Sequence, residues 1–219
     1  KRLSISSSIK IKTTKFLNSY ILIKKFSKLL LFFLIISCNS NDNYIELQED
    51  TNNDADQNEF AEIEYGLTEY GITFHGIDRD FSVYVPESYT HDSPSSMIFV
   101  FHGFGGSNDF IMYTSNFNSI SERENFIVVY PQGSSFWGYP HWNVGGWTNG
   151  SSVNDVEFID FLIELISDQY NINQDRVYAT GMSNGGFFSY LLACQLSNKI
   201  AAIASVCLLY TSPSPRDET

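Results

Sequence analysis

The chain has 219 residues, 43% hydrophobic and 16% aromatic with 13 Tyr and 18 Phe, which excludes a disordered, collagen-like or coiled-coil protein and allows one large domain with a tail. The net charge of −12 is uneven: residues 1–37 hold eight bases and no acid, and the remaining body, at 5 bases against 25 acids, is too acidic to bind a phosphate backbone, which excludes nucleic acid as a partner. Three cysteines, Cys38, Cys194 and Cys207, are too few and too scattered for a disulfide scaffold or a Cys-rich zinc site.

In chain order, Lys24-Lys25-Phe26-Ser27-Lys28 precedes eight consecutive apolar residues, Leu29 to Ile36, and then Ser37-Cys38-Asn39. Eight residues make ~12 Å of helix against a ~30 Å hydrocarbon core, so the run does not span a membrane. A basic flank, a short apolar run and a small residue before the cut describe a secretory signal peptide over residues 1–37. Ile35-Ile36-Ser37-Cys38 also resembles a bacterial lipobox, which implies acylation of Cys38 and attachment to a membrane by more than one acyl chain. The alternative is a plain signal peptide that happens to contain a cysteine. No Met precedes Met97, so residues 1–20 are set aside as an alternative start or translated upstream sequence. Residues 38–70 form an acidic linker, rich in Asn and Asp from Asn39 to Glu59, that tethers the next domain off the membrane.

From Gly71 the pattern changes. Gly71 to Gly76 and Arg79 to Pro86 alternate polar and apolar residues, as two half-buried strands joined by a short turn should. Met97 to Phe101 and Phe126 to Tyr130 are continuous apolar runs, predicted as central strands of a parallel sheet. Asn116 to Glu124 reads as a helix, as does Asp155 to Tyr170, where Val156, Ile159, Ile163 and Ile166 recur at helical spacing. A strand over Arg176 to Gly181, a helix over Gly185 to Leu196 and a strand over Ala201 to Val206 follow. The alternation gives an α/β class, a mostly parallel sheet with helices on both faces.

Gly181-Met182-Ser183-Asn184-Gly185 is a G-x-S-x-G sequence between a predicted strand and a predicted helix. In that context the serine sits on a sharp turn with its hydroxyl above the sheet, and the helix N-terminus points free N–H groups at a developing oxyanion. His102-Gly103-Phe104-Gly105-Gly106 follows the 97–101 strand, where a close-approach loop supplies a second N–H. Ser183 is the expected nucleophile, and the backbones of Phe104 and Asn184 are the expected oxyanion donors. His102 is expected to brace its loop rather than act as a base.

FVFHGFGGS, FIVVYPQG, W-N, VNDVEFI, DRVYATGMSNGG and AAIASV, in that order, resemble the polyhydroxybutyrate depolymerase and feruloyl/acetylxylan esterase family of α/β-hydrolases over about Gly71 to Val206. The resemblance implies an α/β-hydrolase fold and hydrolysis of carboxylic esters through an acyl-enzyme on Ser183. It implies polyhydroxyalkanoate polyester, or feruloyl and acetyl esters of plant polysaccharide, as substrate, and neither a metal nor an organic cofactor. The expected location is extracytoplasmic, either secreted or on the bacterial outer membrane as a lipoprotein.

Residues 133–154 form a Gly-rich loop carrying Trp137, His141, Trp142 and Trp147. These four are the candidate substrate-binding residues, since aromatics in a polar loop at the mouth of a sheet suit a sugar ring or an aromatic acyl group. The alternative is that Trp142 and Trp147 pin the loop to the body. Asp155 is expected to cap the following helix, with a place at the mouth of the site as the alternative. Cys194 is expected as a small core residue.

Acyl transfer by serine needs a base and an acid to orient it, and in this fold they follow the serine as Asp or Glu, then His. The four histidines, His75, His91, His102 and His141, all precede Ser183. Residues 207–219 resemble a translated sequencing adapter, so the hydrolase is expected to be incomplete at its C-terminus and this fragment inactive. A carbohydrate-binding relative without catalysis and a serine peptidase of the same superfamily are the competing functions.

Overall fold

A computed structural model describes residues 11–13, 44–45 and 62–206. Cys38, Cys207 and the 207–219 tail lie outside the described residues, as does most of the predicted signal peptide and linker. The body opens with a hairpin of β3 (Gly66–Phe74) and β4 (Ile77–Val85), after two short strands β1 (Ile11–Thr13) and β2 (Tyr44–Ile45). Phe74 pairs with Ile77, so the turn is the two residues His75 and Gly76, at φ 48° and 76°. Positive φ at both turn positions matches the twist of the flanking strands.

Next come β5 (Ser95–Phe101), α1 (Asn108–Ser115), α2 (Phe117–Glu124), β6 (Phe126–Pro131), and a small ribbon of β7 (Ser134–Phe136) and β8 (Tyr139–His141). α3 (Asp155–Gln169), β9 (Ile172–Met182), α4 (Asn184–Gln195) and β10 (Ala202–Val206) complete the described chain. The main sheet runs β10-β9-β5-β6-β4-β3-β1-β2. β10, β9, β5 and β6 are parallel, and the β4, β3, β1 and β2 side is antiparallel.

The continuous apolar runs are buried on both faces. Met97, Phe99 and Phe101 of β5 pack with Phe158, Leu162 and Ile166 of α3 and Phe188 of α4 in one core. Val100 of β5, with Ile98 beside it, turns to the opposite face and packs with Ile111 of α1 and Phe117 of α2. This is an α/β sheet with helices on both faces, as expected from the alternation, parallel from β10 through β9 and β5 to β6 and antiparallel from β6 outward. β5 lies between β6 and β9, and the chain leaves it toward one neighbour and returns on the other side. Loops at the carboxyl ends of β5 and β9 therefore part over a crevice, where open α/β sheets bind ligands.

Four sequence expectations change. β3 begins at Gly66, inside the predicted linker, because its pairing to β4 runs on to Val85. Residues 1–20 were expected to stand outside the fold, yet Lys12 and Thr13 pair with Gly71 and Tyr70 on the outer edge of β3, where unpaired backbone accepts an extended strand. α1 is an element absent from the sequence reading. Its signal was Ser107, whose hydroxyl accepts the Phe110 N–H at 3.1 Å as the N-cap, but eight residues ending in Met-Tyr-Thr-Ser carry little helical periodicity. Cys194 is exposed rather than a core residue, since the buried stripe of α4 runs through Phe188, Ser189 and Leu192.

Candidate active site

β9 ends one residue before Ser183, which takes φ 53° and ψ −114° at the turn into α4. A non-glycine residue rarely holds positive φ, and here the glycines on either side permit it. A Cβ on Gly181 would stand 2.6 Å from the Gly185 carbonyl, and one on Gly185 2.5 Å from the Phe101 oxygen. Ser183 is itself exposed, while Asn184 is buried. β10 props the turn from its far side: the Ser183 N–H donates to the Val206 oxygen at 2.8 Å, and the Ser205 hydroxyl to the Gly186 oxygen at 2.9 Å.

The first intrahelical bond of α4 runs from the Phe187 N–H to the Ser183 oxygen at 3.0 Å. The N–H groups of Asn184 and Gly185 lie ahead of it, at the positive end of the helix. Facing them is the loop after β5. A Cβ on Gly103 would meet the Ser183 Cβ at 3.6 Å, so the loop passes against the turn. Gly105 at φ 74° donates its N–H to the Pro140 oxygen at 2.7 Å and ties the loop to β8. Phe104 is 40% exposed, with its ring 5.6 Å from Tyr139 and 5.3 Å from Trp147.

His102 is fully buried with both ring nitrogens engaged. Nε2 accepts the Gly133 N–H at 2.9 Å, so Nδ1 carries the proton and donates to the Gly103 oxygen at 2.7 Å. Burial holds its pKa below the ordinary 6.5, keeping the ring neutral. The ring braces the loop, as expected. The others are also partnered: His75 lies 3.2 Å from Glu157, and His91 Nδ1 lies 3.0 Å from the Tyr89 hydroxyl. Among the described residues none of the four hydrogen-bonds Ser183.

The candidate substrate-binding residues separate into two pairs. Trp137 and Trp147 are 82% and 53% exposed. Trp142 and His141 are fully buried, which corrects the expectation that they face a ligand. The Trp142 ring stacks on Phe188 at 4.9 Å and 7°, and its Nε1–H donates to the His102 oxygen at 3.0 Å. His141 is held between the Ser134 oxygen and the Ser151 hydroxyl, both at 2.8 Å. Both residues pin the loop.

The helix cap is also corrected. Asn154, not Asp155, accepts the Glu157 N–H and caps α3. Asp155 is buried and accepts from Arg79 at 2.7 Å on Oδ1 and from the Asn143 N–H at 2.7 Å on Oδ2. Arg79 also stacks over Phe158 at 3.9 Å, and burial lowers its pKa against the pull of Asp155. From Asn143 the connection continues to Trp142, whose N–H and C=O pair with the Asn184 side-chain amide at 2.7 and 3.1 Å. Arg79, Asn143 and the Asn184 amide were missed by the sequence reading. Arg79 had a signal, because it shares the inward parity of Phe81, Val83 and Val85 in an alternating strand.

Residues 73–218 match the Esterase family, described as "putative esterase". This chain belongs to the esterase family. The matched range includes residues 207–218, which lie outside the described part. The esterase chain is 32% identical over 126 residues to a bifunctional acetylxylan esterase/xylanase from Neocallimastix patriciarum, covering 58% of this chain and 17% of that protein. It is 32% identical over 127 residues to feruloyl esterase C from Emericella nidulans, covering 58% of this chain and 45% of the relative. Feruloyl esterase D from Neurospora crassa is 29% identical over 139 residues, covering 58% and 44%. The chain thus spans less than half the length of each of these relatives. Among solved structures, a ferulic acid esterase superposes with a TM-score of 0.51 at 14% identity, over 63% of this chain and 58% of that one. An S-formylglutathione hydrolase from Agrobacterium tumefaciens gives 0.52 at 14%, over 66% and 59%. These two likenesses support the α/β-hydrolase fold and nothing finer.

Proposed function

We propose that this esterase-family protein is a serine hydrolase of carboxylic esters that acts through an acyl-enzyme on Ser183. The observation that carries the reading is the exposed Ser183 at φ 53°, set between the Gly103–Phe104 loop and the N-terminus of α4. The Ser183 oxygen gives up its proton to a base and attacks the ester carbonyl, and the N–H groups of Phe104 and Asn184 receive the oxyanion. Collapse of that intermediate breaks the ester C–O bond and releases the alcohol, which takes up the proton, leaving the acyl-enzyme. Water then hydrolyses the acyl-enzyme and restores the hydroxyl. The base that accepts the serine proton is none of the four histidines of this chain, each of which is engaged elsewhere. We infer that it follows Ser183 together with its acid in the full-length protein, and that the 219 residues alone turn over no ester.

The similarity to feruloyl and acetylxylan esterases supports ester-linked plant polysaccharide as the substrate class. Polyhydroxyalkanoate polyester stands beside it, on the sequence resemblance alone. The basic and apolar segment ending at Cys38 supports export and lipid attachment, which fatty-acid labelling of wild type and Cys38→Ser would report. The full-length protein is expected to hydrolyse p-nitrophenyl acetate and methyl ferulate, and Ser183→Ala to lower kcat by about a thousandfold or more. Unchanged turnover in that variant would overturn the nucleophile assignment.

A further inference from the structure

The two N–H groups assigned to the oxyanion stand on different elements, Phe104 in the loop after β5 and Asn184 at the start of α4. A third segment, Pro140 to Asn143, is bonded to both. Toward the loop, the Pro140 oxygen accepts the Gly105 N–H at 2.7 Å and the Trp142 Nε1–H donates to the His102 oxygen at 3.0 Å. Toward the helix, the Asn184 side-chain amide closes on the Trp142 backbone at two points. Its Oδ1 accepts the Trp142 N–H at 2.7 Å, and its Nδ2 donates to the Trp142 oxygen at 3.1 Å. The far end of the segment is rooted on Asp155, which accepts the Asn143 N–H and is itself held by Arg79.

A two-point bond fixes orientation as well as distance. Asn184 is 1% exposed and Trp142 fully buried, so the amide sits where an apolar side chain would ordinarily serve, and its desolvation is offset only because both of its ends are bonded. The Trp142 ring also stacks on Phe188, one turn along α4 from Asn184, so the first turn of the helix is held at its tip and on its flank. On the other side, His102 passes the constraint on through its Nδ1–H to the Gly103 oxygen at 2.7 Å, one residue before Phe104. These bonds converge on the two donors and their neighbours. Such donors act by being fixed in place beforehand: losing one costs about a hundredfold to a thousandfold in kcat, and a misplacement of about 1 Å can cost about a hundredfold.

We propose that Trp142 and the Asn184 side chain form a splint that sets the spacing of the two oxyanion donors, and that both are positioning residues for ester hydrolysis. The inference rests on Ser183 being the nucleophile and deepens that reading.

In the full-length protein, Trp142→Phe keeps a ring against Phe188 but removes the indole N–H, and Asn184→Ala removes the amide while leaving the backbone N–H in place. Turnover of p-nitrophenyl acetate is measured per Ser183 labelled to completion with a fluorophosphonate, so that misfolded protein is not counted. Each variant is expected to lower kcat by about tenfold or more, with KM within about twofold of the unmodified protein. A pair of inhibitors then separates positioning from stability. The carbonyl carbon of a trifluoromethyl alkyl ketone takes the Ser183 oxygen, the serine proton passes to the base, and the ketone oxygen becomes an oxyanion in the hole. The matching methyl ketone stays a ketone. Affinity for the first is expected to fall about tenfold or more in each variant, and affinity for the second to stay within about twofold.

Leu192→Ala, a cut in the core about two turns further along α4, is expected to lower stability and leave both affinities unchanged. Lost stability with unchanged affinities in Trp142→Phe and Asn184→Ala would make the splint framework alone and overturn the proposal, as would an equal loss of ketone affinity in Leu192→Ala. Should neither splint variant fold, exchange of the Trp142 indole N–H in the unmodified protein is expected to slow when the trifluoromethyl ketone is bound, and an unchanged rate overturns the proposal. Labelling separates this failure from that of the reading beneath it. Labelled Ser183 with unchanged ketone affinities sinks the splint alone, whereas unlabelled Ser183 in a protein that still hydrolyses esters sinks the nucleophile reading and the splint with it.

Discussion

Residues 133–154 contain two aromatic populations that look alike in composition and behave oppositely in the fold. Trp142 and His141 stand inside the body, with their polar atoms bonded to backbone or to a serine. Trp137 and Trp147 stand at the surface, Trp137 against Phe136 at 4.5 Å and Trp147 against Phe104. The difference follows from what each segment touches. Pro140 to Asn143 runs past the Ser183 turn, where the Asn184 amide grips the Trp142 backbone and Asp155 grips Asn143. The glycines around Trp137 and Trp147 turn back into solvent, with Gly138, Gly145 and Gly146 all at positive φ. A Gly-rich loop at the mouth of a sheet can therefore be half framework and half surface.

Four measurements would break or sharpen that contrast. Trp142→Ala removes a buried ring from between Phe101 and Phe188 and should cost about 3–5 kcal/mol in urea unfolding. A loss near zero would mean that the loop does not depend on this pin. Asp155→Ala leaves the Arg79 guanidinium buried without its carboxylate, with an expected cost of about 3–5 kcal/mol. Adding Arg79→Met should recover part of that cost, because the unpaired charge and not the lost bond is the larger penalty.

The third concerns His102. Its folded pKa lies below the ordinary 6.5, so the unfolded chain binds the proton first as pH falls. The stability it contributes is complete above pH 6.5 and is lost progressively below it, with a slope of at most about 1.4 kcal/mol per pH unit. Denaturation series between pH 8 and pH 5 should show a shallower decline in His102→Gln than in the wild type, and equal slopes would remove His102 from the framework. The smallest effect belongs to the surface pair: Trp137→Ala should change unfolding free energy by no more than about 0.5 kcal/mol. A loss as large as that of Trp142→Ala would erase the contrast.

Much of the site was legible from the chain because it depends on local geometry. The apolar runs at 97–101 and 126–130 announced strands buried on both faces, and Gly181 and Gly185 around Ser183 announced a turn that tolerates no Cβ on either side. His102 was legible as a brace by its place at the end of a central strand. The cap of α3 was not, because Asn154 and Asp155 are both good capping residues and only their partners distinguish them. α1 escaped because eight residues give too few turns to show a period.

The sequence by itself determined the alternation of the buried strands with the longer helices, the position of the serine turn and the loop that faces it, since each rests on backbone preferences and periods within a few residues. Tertiary structure alone decided which aromatics are framework and which are surface, and which carboxylate is buried. Those outcomes turn on partners far apart in the chain: Trp142 meets Asn184 across 42 residues, and Arg79 meets Asp155 across 76. A tryptophan in a glycine-rich loop has the same local preferences in either place, and only the surface brought against it by the rest of the fold settles whether water or Phe188 covers its ring.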